Sequence, residues 1–186
     1  MGFAIARAAH EAGADVTVIA GPVHLPTPRG VTRVDVRSAQ DMHGAVLSQV
    51  KEASVFVATA AVADWRVAHV ADQKIKKTAK GDTPELQFTE NPDILGEVAK
   101  SARAQSGVLF CVGFAAESHD LQKHAQAKRE KKGVPLLVGN IGPATFGSDE
   151  NALLLVDAQG TLEIPQANKL DLARKLVTEI AQRMKH

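Results

Sequence analysis

A single cysteine, Cys111, stands among the 186 residues, so an intrachain disulfide framework is impossible. It sits inside the apolar run Val108-Leu109-Phe110-Cys111-Val112 and reads as a small buried core residue. No apolar stretch approaches the ~20 residues that a membrane-spanning helix needs, and no signal-peptide pattern opens the chain. The expected compartment is therefore the cytoplasm, without a membrane partner. An excess of one charge is missing as well. The 22 Lys and Arg against 21 Asp and Glu leave a net charge of +1. No global basic field draws a long phosphate backbone, so nucleic acid is not an expected partner. The seven histidines have no metal-ligand spacing. Also absent are a Gly-x-Ser-x-Gly elbow, a complete Walker loop and a Gly-x-Gly-x-x-Gly turn.

What is present is ordinary for a globular α/β domain: 45% hydrophobic and 23% charged residues, in a length that fits one domain over 1–186. Apolar residues at helical spacing (Phe3, Ile5, Ala6, Ala9) predict a helix over 2–12, with Gly13 as its stop. Residues 15–20 form a short apolar strand, and 21–30, with three prolines, a loop. A second strand is expected over 31–36. Ser38, with Asp41 three residues on, predicts a capped helix to about Lys51. The β-branched run 54–58 reads as a buried strand. Residues 59–80 read as irregular and polar, and 85–89 as a weak strand. Asn91-Pro92-Asp93 is expected to start a helix, with Asn91 as cap and Pro92 in the first position. Strands over 108–112 and 135–139, a helix over 118–132, a hairpin of 153–156 with 161–164, and a helix over 168–185 complete the chain. Strands alternating with helices imply a doubly wound, mainly parallel sheet covered on both faces. The order opens with a helix where such a sheet normally has a strand and a Gly-rich turn, so its first strand is expected to be missing.

In an open α/β sheet, ligands bind beyond the carboxyl ends of the strands. The alanine-rich segment Thr59–Trp65 follows one such end. Its small side chains would let a ligand approach the backbone, and Asp64 suits either ligand hydroxyls or a metal. A tight surface turn with a solvated acid explains the same residues. Lys74-Ile75-Lys76-Lys77, with Lys80 behind it, suits a polyphosphate or developing negative charge, or else forms a solvated face. Lys128 and Lys132, four apart on a helix face, can reach one phosphate group or simply sit in solvent near a helix end. Residue chemistry alone thus reaches a nucleotide or phosphate site and stops there.

The ordered motifs add more. Met1-Gly2-Phe3-Ala4-Ile5-Ala6, Ala60-Ala61-Val62-Ala63-Asp64-Trp65, Lys74-Ile75-Lys76-Lys77, Asn91-Pro92-Asp93-Ile94 and Gly113-Phe114-Ala115-Ala116-Glu117 occur in sequence. Phe146-Gly147-Ser148-Asp149 and Asn151 follow. Together they resemble phosphopantothenoylcysteine synthetase, the carboxy-terminal half of the bacterial bifunctional coenzyme A enzyme, over essentially the whole chain. The resemblance implies a Rossmann-like fold, a homodimer, and a β excursion at about 66–90 acting as flap and dimer contact. It also implies a CTP-dependent ligase using Mg2+ that joins phosphopantothenate to cysteine through an acyl-cytidylate. FMN enters only if a flavin-dependent decarboxylase domain precedes this one. Carried over by position, the resemblance makes Ala58, Ala60, Ala61, Asp64, Lys74, Pro92, Asp93, Ile94, Leu95, Phe114, Lys128 and Lys132 nucleotide-binding, and Lys74 catalytic.

Two departures stand out. Asn140 is followed by Ile141 where the family often has Asp. The family's Ser- and Gly-rich loop has no counterpart after Met1, so the 186 residues are expected to be inactive as a ligase alone. Two rival readings remain. A nicotinamide-dependent reductase needs an acid near the second strand's end, where this chain has Ala20-Gly21-Pro22. A non-catalytic nucleotide-binding module is the other.

Overall fold

The computed structural model describes residues 1–76, 85–117, 120–141 and 150–184. Helix α1 (Gly2–Glu11) leads through Gly13, at φ +91°, into strand β1 (Thr17–Ala20), which pairs in parallel with β2 (Thr32–Asp35). The connection between these two strands is the proline-rich loop, not a helix. Arg33 holds it, donating from Nη1 to the Leu25 carbonyl at 2.7 Å and from Nη2 to the Val23 carbonyl at 3.2 Å. Helix α2 (Ala39–Gln49) begins with the expected capping box, Ser38 accepting from the Asp41 N–H at 3.1 Å while Asp41 accepts from the Ser38 N–H at 3.0 Å.

Strand β3 (Val55–Ala58) starts the main sheet. It is followed by β4 (Trp65–Val67), β5 (Phe88–Glu90), α3 (Ile94–Ala99), α4 (Ala102–Gln105) and β6 (Phe110–Glu117). Then come α5 (Leu121–Lys132), β7 (Leu136–Ile141), β8 (Glu150–Val156), β9 (Thr161–Asn168) and α6 (Lys169–Arg183). The strand order is β3-β6-β7-β8-β9, parallel through β7 and antiparallel beyond it. The fold is the expected α/β type, but the sheet is mixed. The hairpin foreseen near Gly160 is an extension of this sheet, since β8 pairs antiparallel with β7 and β9 with β8.

Alternation along the strands fills two core layers. Val112, Leu136, Val138, Leu153 and Leu155 face α1 and α6, where Ile5, Ala8, Leu172, Leu176 and Ile180 meet them. Cys111, Ala115, Leu137, Leu154 and Val156 face the other way, onto Val46, Val98 and Ala125 of α2, α3 and α5. Burial pushes the Cys111 thiol up to about 11, as expected of a core residue. Between β1 and β3, where a doubly wound order calls for a central strand, no described strand lies. The β1–β2 pair joins the rest through side chains: Ile19, Met42 and Phe56 all pack on the second core layer.

Two expectations differ in detail. The stretch 59–80 contains β4, a strand three residues long that exists only because β5 pairs with it. Helix α5 begins at Leu121 after Asp120, and the expected start at Ser118 lies outside the described residues. No described helix is long and apolar enough to cross a membrane.

Leu176 is fully buried between α6 and the sheet, whereas Leu25 is 54% exposed. Leu176→Ala should lower the unfolding free energy by roughly 2–5 kcal/mol. Leu25→Ala should stay within about 0.5 kcal/mol of the parent. Urea titration monitored by circular dichroism checks both.

Candidate functional site

Strand β3 delivers the chain to Ala58, which is half-buried, and the alanine-rich turn beyond it is open to solvent at Ala60, Ala61 and Asp64. Helix α1 presses close to this turn. A Cβ on Gly2 would lie 2.7 Å from Thr59 Oγ1, so a larger residue there would displace the Thr59 hydroxyl. The turn runs into β4, whose antiparallel partner β5 leads directly to Asn91.

Asn91 does not cap a helix as expected. Its N–H donates to the Asp64 carbonyl at 2.8 Å, and its side-chain amide donates to the Ala63 carbonyl at 2.9 Å. Arg66 adds bonds to the Glu90 carbonyl and to Asn91 Oδ1. Asn91 therefore clasps the alanine-rich turn. The cap of α3 is Asp93, whose Oδ1 accepts from the Gly96 N–H at 3.1 Å, so the helix starts at Ile94 and Pro92 precedes the cap. Asn91-Pro92-Asp93 holds two side chains able to cap, and the turn takes one of them.

Asp93 also receives Lys132 Nζ at 2.6 Å. Lys132 sits in the last turn of α5, which Gly133 ends at φ +65°. Burial alone would push the Asp93 carboxyl up, but the Lys132 hydrogen bond, the Gly96 N–H and the charges of Lys132 and Lys100 outweigh it, so its pKa is lowered. Gly96 leaves room for the carboxylate, since a Cβ there would lie 2.5 Å from Asp93 Oδ2. His43 Nε2 meets Glu97 Oε2 at 2.8 Å and ties α2 to the same short helix.

The structure thus gathers the turn after β3, residues Pro92–Leu95 and Lys132 into one connected set. Ile94 is buried, and Leu95 packs over Gly113 of β6, where a Cβ would lie 2.8 Å from its Cδ2. Lys128 is half-buried one turn before Lys132 and makes no ion pair among the described residues. Lys74 is exposed in a stretch without regular structure, and Lys77 and Lys80 lie outside the described residues, as do Gly142 and the Phe146–Asp149 motif. The Phe114 side chain is not part of the set. It packs against the core layer of α1 and α6, on the opposite sheet face from α3 and α5, which leaves only its backbone available to this side. The clasp by Asn91 and Arg66 was not foreseen. The two Asx-type side chains on either side of Pro92, Asn91 and Asp93, were its one visible signal, and Arg66 gave none.

A family described as DNA/pantothenate metabolism flavoprotein C-terminal domain matches residues 1–184. The chain is 42% identical over 187 residues to the coenzyme A biosynthesis bifunctional protein CoaBC of Vibrio cholerae, covering 99% of this chain and 46% of that protein. Against the protein of that description from Escherichia coli it is 43% identical, covering 98% and 45%. The chain thus spans about half the length of these relatives. Among solved structures, the C-terminal domain of a CoaBC protein superposes with a TM-score of 0.80 at 29% identity, over 99% of this chain and 82% of that one. A Cab2 variant in complex with phosphopantothenate-cysteine shares the fold, with a TM-score of 0.63 at 16% identity, over 84% and 53%.

Two tests address this junction. Asn91→Ala should cost about 0.5–1.5 kcal/mol, the scale of one lost hydrogen bond, in urea unfolding. The Asp93 pKa is lowered on folding, so its contribution is fully present above the ordinary carboxylate value and is lost as pH falls through the folded value. Between about pH 5 and pH 2, the parent should therefore lose more stability than Asp93→Asn does in parallel urea titrations.

Proposed function

This chain belongs to the DNA/pantothenate metabolism flavoprotein C-terminal domain family, and on that premise we propose that it is the domain that forms the amide bond between phosphopantothenate and cysteine at the expense of CTP. The observation that carries the reading is the junction of the alanine-rich turn, Pro92–Leu95 and Lys132 through Asn91 and Asp93. It puts three separate sequence motifs around one surface at the end of β3, where a doubly wound fold binds its ligand.

In this reading the backbone at Ala58, Ala60 and Ala61 lines the nucleotide, whose close approach the small side chains permit, and Asp64 accepts from its hydroxyls. The segment Pro92–Leu95 and the Phe114 backbone border it, and Lys128 and Lys132 take the triphosphate. Mg2+ would fit here as a phosphate-bound ion held mainly by substrate oxygens, with Asp64 supplying a carboxylate only where it does not serve the nucleotide hydroxyls. When bound, it would neutralise phosphate charge.

The carboxylate of phosphopantothenate attacks the α-phosphorus of CTP, breaking the bond to the β-phosphate and releasing pyrophosphate. The mixed anhydride so formed has a good leaving group, which a free carboxylate lacks. The cysteine amine then attacks the acyl carbon, the acyl–oxygen bond breaks, CMP leaves, and the amine gives up a proton. Lys74, on its exposed stretch, offsets the charge that develops during activation. The half of the relatives that this chain does not match accommodates the flavin-dependent decarboxylase and its FMN, and the cytoplasm suits such a metabolic step.

A homodimer suits the β4–β5 excursion. Trp65 and Phe88 are 56% and 61% exposed on a two-stranded ribbon, with Leu86 and Ile75 also open. A ribbon this short gains stability when another surface covers it. Sedimentation at micromolar concentration should therefore show a dimer, and Trp65→Ser with Phe88→Ser should shift it to monomer. A parent that is monomeric would overturn this part.

Calorimetric titration of CTP, ATP and NADPH separates the function readings. NADPH binding supports a reductase, and CTP binding supports the ligase or a non-catalytic nucleotide-binding module, which turnover of the bifunctional protein then separates. In the bifunctional protein, Lys74→Gln should lower turnover roughly 100-fold or more, as when one electrostatic contact to a transition state is lost. Melting should be unchanged, and near-parental turnover would remove Lys74 from the mechanism.

A further inference from the structure

We infer that the Asp93 carboxylate is the resident anion of the phosphate site, held on Lys132 until a polyphosphate displaces it. The inference rests on the assignment of Lys132 to the triphosphate, and it gives Asp93 the opposite role from a ligand-binding residue. It competes with the ligand for the same ammonium.

The contact is unequal in a way that favours exchange. The Lys132 side chain is only 22% exposed, so its charge is partly desolvated and gains from a fixed anion. The Asp93 side chain is 55% exposed and returns easily to water. Asp93 also keeps a second function when Lys132 leaves, because Oδ1 already caps α3 through the Gly96 N–H while Oδ2 alone takes the lysine. Releasing Lys132 therefore need not uncap the helix.

The surrounding charge favours a stronger anion. Lys100 acts on the Asp93 carboxyl together with Lys132, and Lys128 lies one turn before Lys132 on the same helical face. The carboxylate faces two ammonium groups, with Lys128 one helical turn from Lys132, so a ligand carrying three or four negative charges outcompetes it for Lys132. Gly96 makes the arrangement possible. A Cβ at that position would come within 2.5 Å of Asp93 Oδ2 and 2.9 Å of its Cγ, in the space the carboxylate needs to reach the lysine.

The test uses the full chain and inorganic tripolyphosphate, measured by calorimetry, with CTP as a parallel arm. Asp93→Asn keeps a good capping residue and removes the competing charge. It should tighten tripolyphosphate about three- to fivefold, the scale of a partly exposed ion pair. Lys132→Ala should weaken binding, and adding Asp93→Asn to it should change nothing further. Gly96→Ala, which crowds the carboxylate without altering any charge, should tighten binding in the same direction as Asp93→Asn. Weaker or unchanged tripolyphosphate binding in both Asp93→Asn and Gly96→Ala overturns the inference, as does a parent that binds no tripolyphosphate. If tripolyphosphate behaves as expected but CTP does not bind, the exchange stands and the nucleotide reading fails.

Discussion

Leu136, Leu137 and Val138 are consecutive and each is wholly buried. A strand presents successive side chains to opposite faces, so this triplet can be dry only if β7 is covered on both sides. Most of the fold follows from that demand. Helices α1 and α6 supply one cover, α2, α3 and α5 the other, and β6 and β8 flank the strand. The helices must also come close. A Cβ on Gly139 would lie 2.8 Å from Leu121 Cδ1, and one on Gly113 the same distance from Leu95 Cδ2, so glycines in the sheet admit α5 and α3. Packing thus fixes where α3 begins, and with it the place of Asp93.

The site is built on that cover. Asn91 and Arg66 join an exposed turn to the start of a buried helix, and Asp93 joins the helix to the end of α5. Short polar contacts link elements that lie far apart in sequence, with Asp93 and Lys132 separated by 39 positions. A solvent-exposed set of this kind derives its geometry from the hydrophobic layers beneath it, where Ile94 and Val98 anchor α3.

Elements with strong local signals were legible in the sequence. The Ser38 capping box, the Gly13 stop, the apolar runs of β3 and β7 and the amphipathic α6 each carry their cause within a few residues. The ordered motifs likewise located the alanine-rich turn and the Pro92–Leu95 segment. What could not be read depended on distant partners. Strand β4 owes its form to β5, Asn91 was drawn from helix capping by carbonyls 27 and 28 positions earlier, and the choice of sheet face for Phe114 followed the register of β6 against β7. The pairing of Lys132 with Asp93 was equally invisible, because helix spacing shows which lysines share a face but not what lies opposite.

The break between β1 and β3 has a thermodynamic meaning. Cooperativity in a sheet travels along its ladders, and among the described residues none joins the β1–β2 pair to the five-stranded body. Separating the pair from its neighbours ruptures no backbone bond of the larger sheet. It uncovers Ile19 and one side of α2, while the dry centre around Leu137 stays closed. The pair is therefore a sub-global unit in its own right. Its amide protons should exchange with solvent through an opening that requires less free energy than unfolding of the whole.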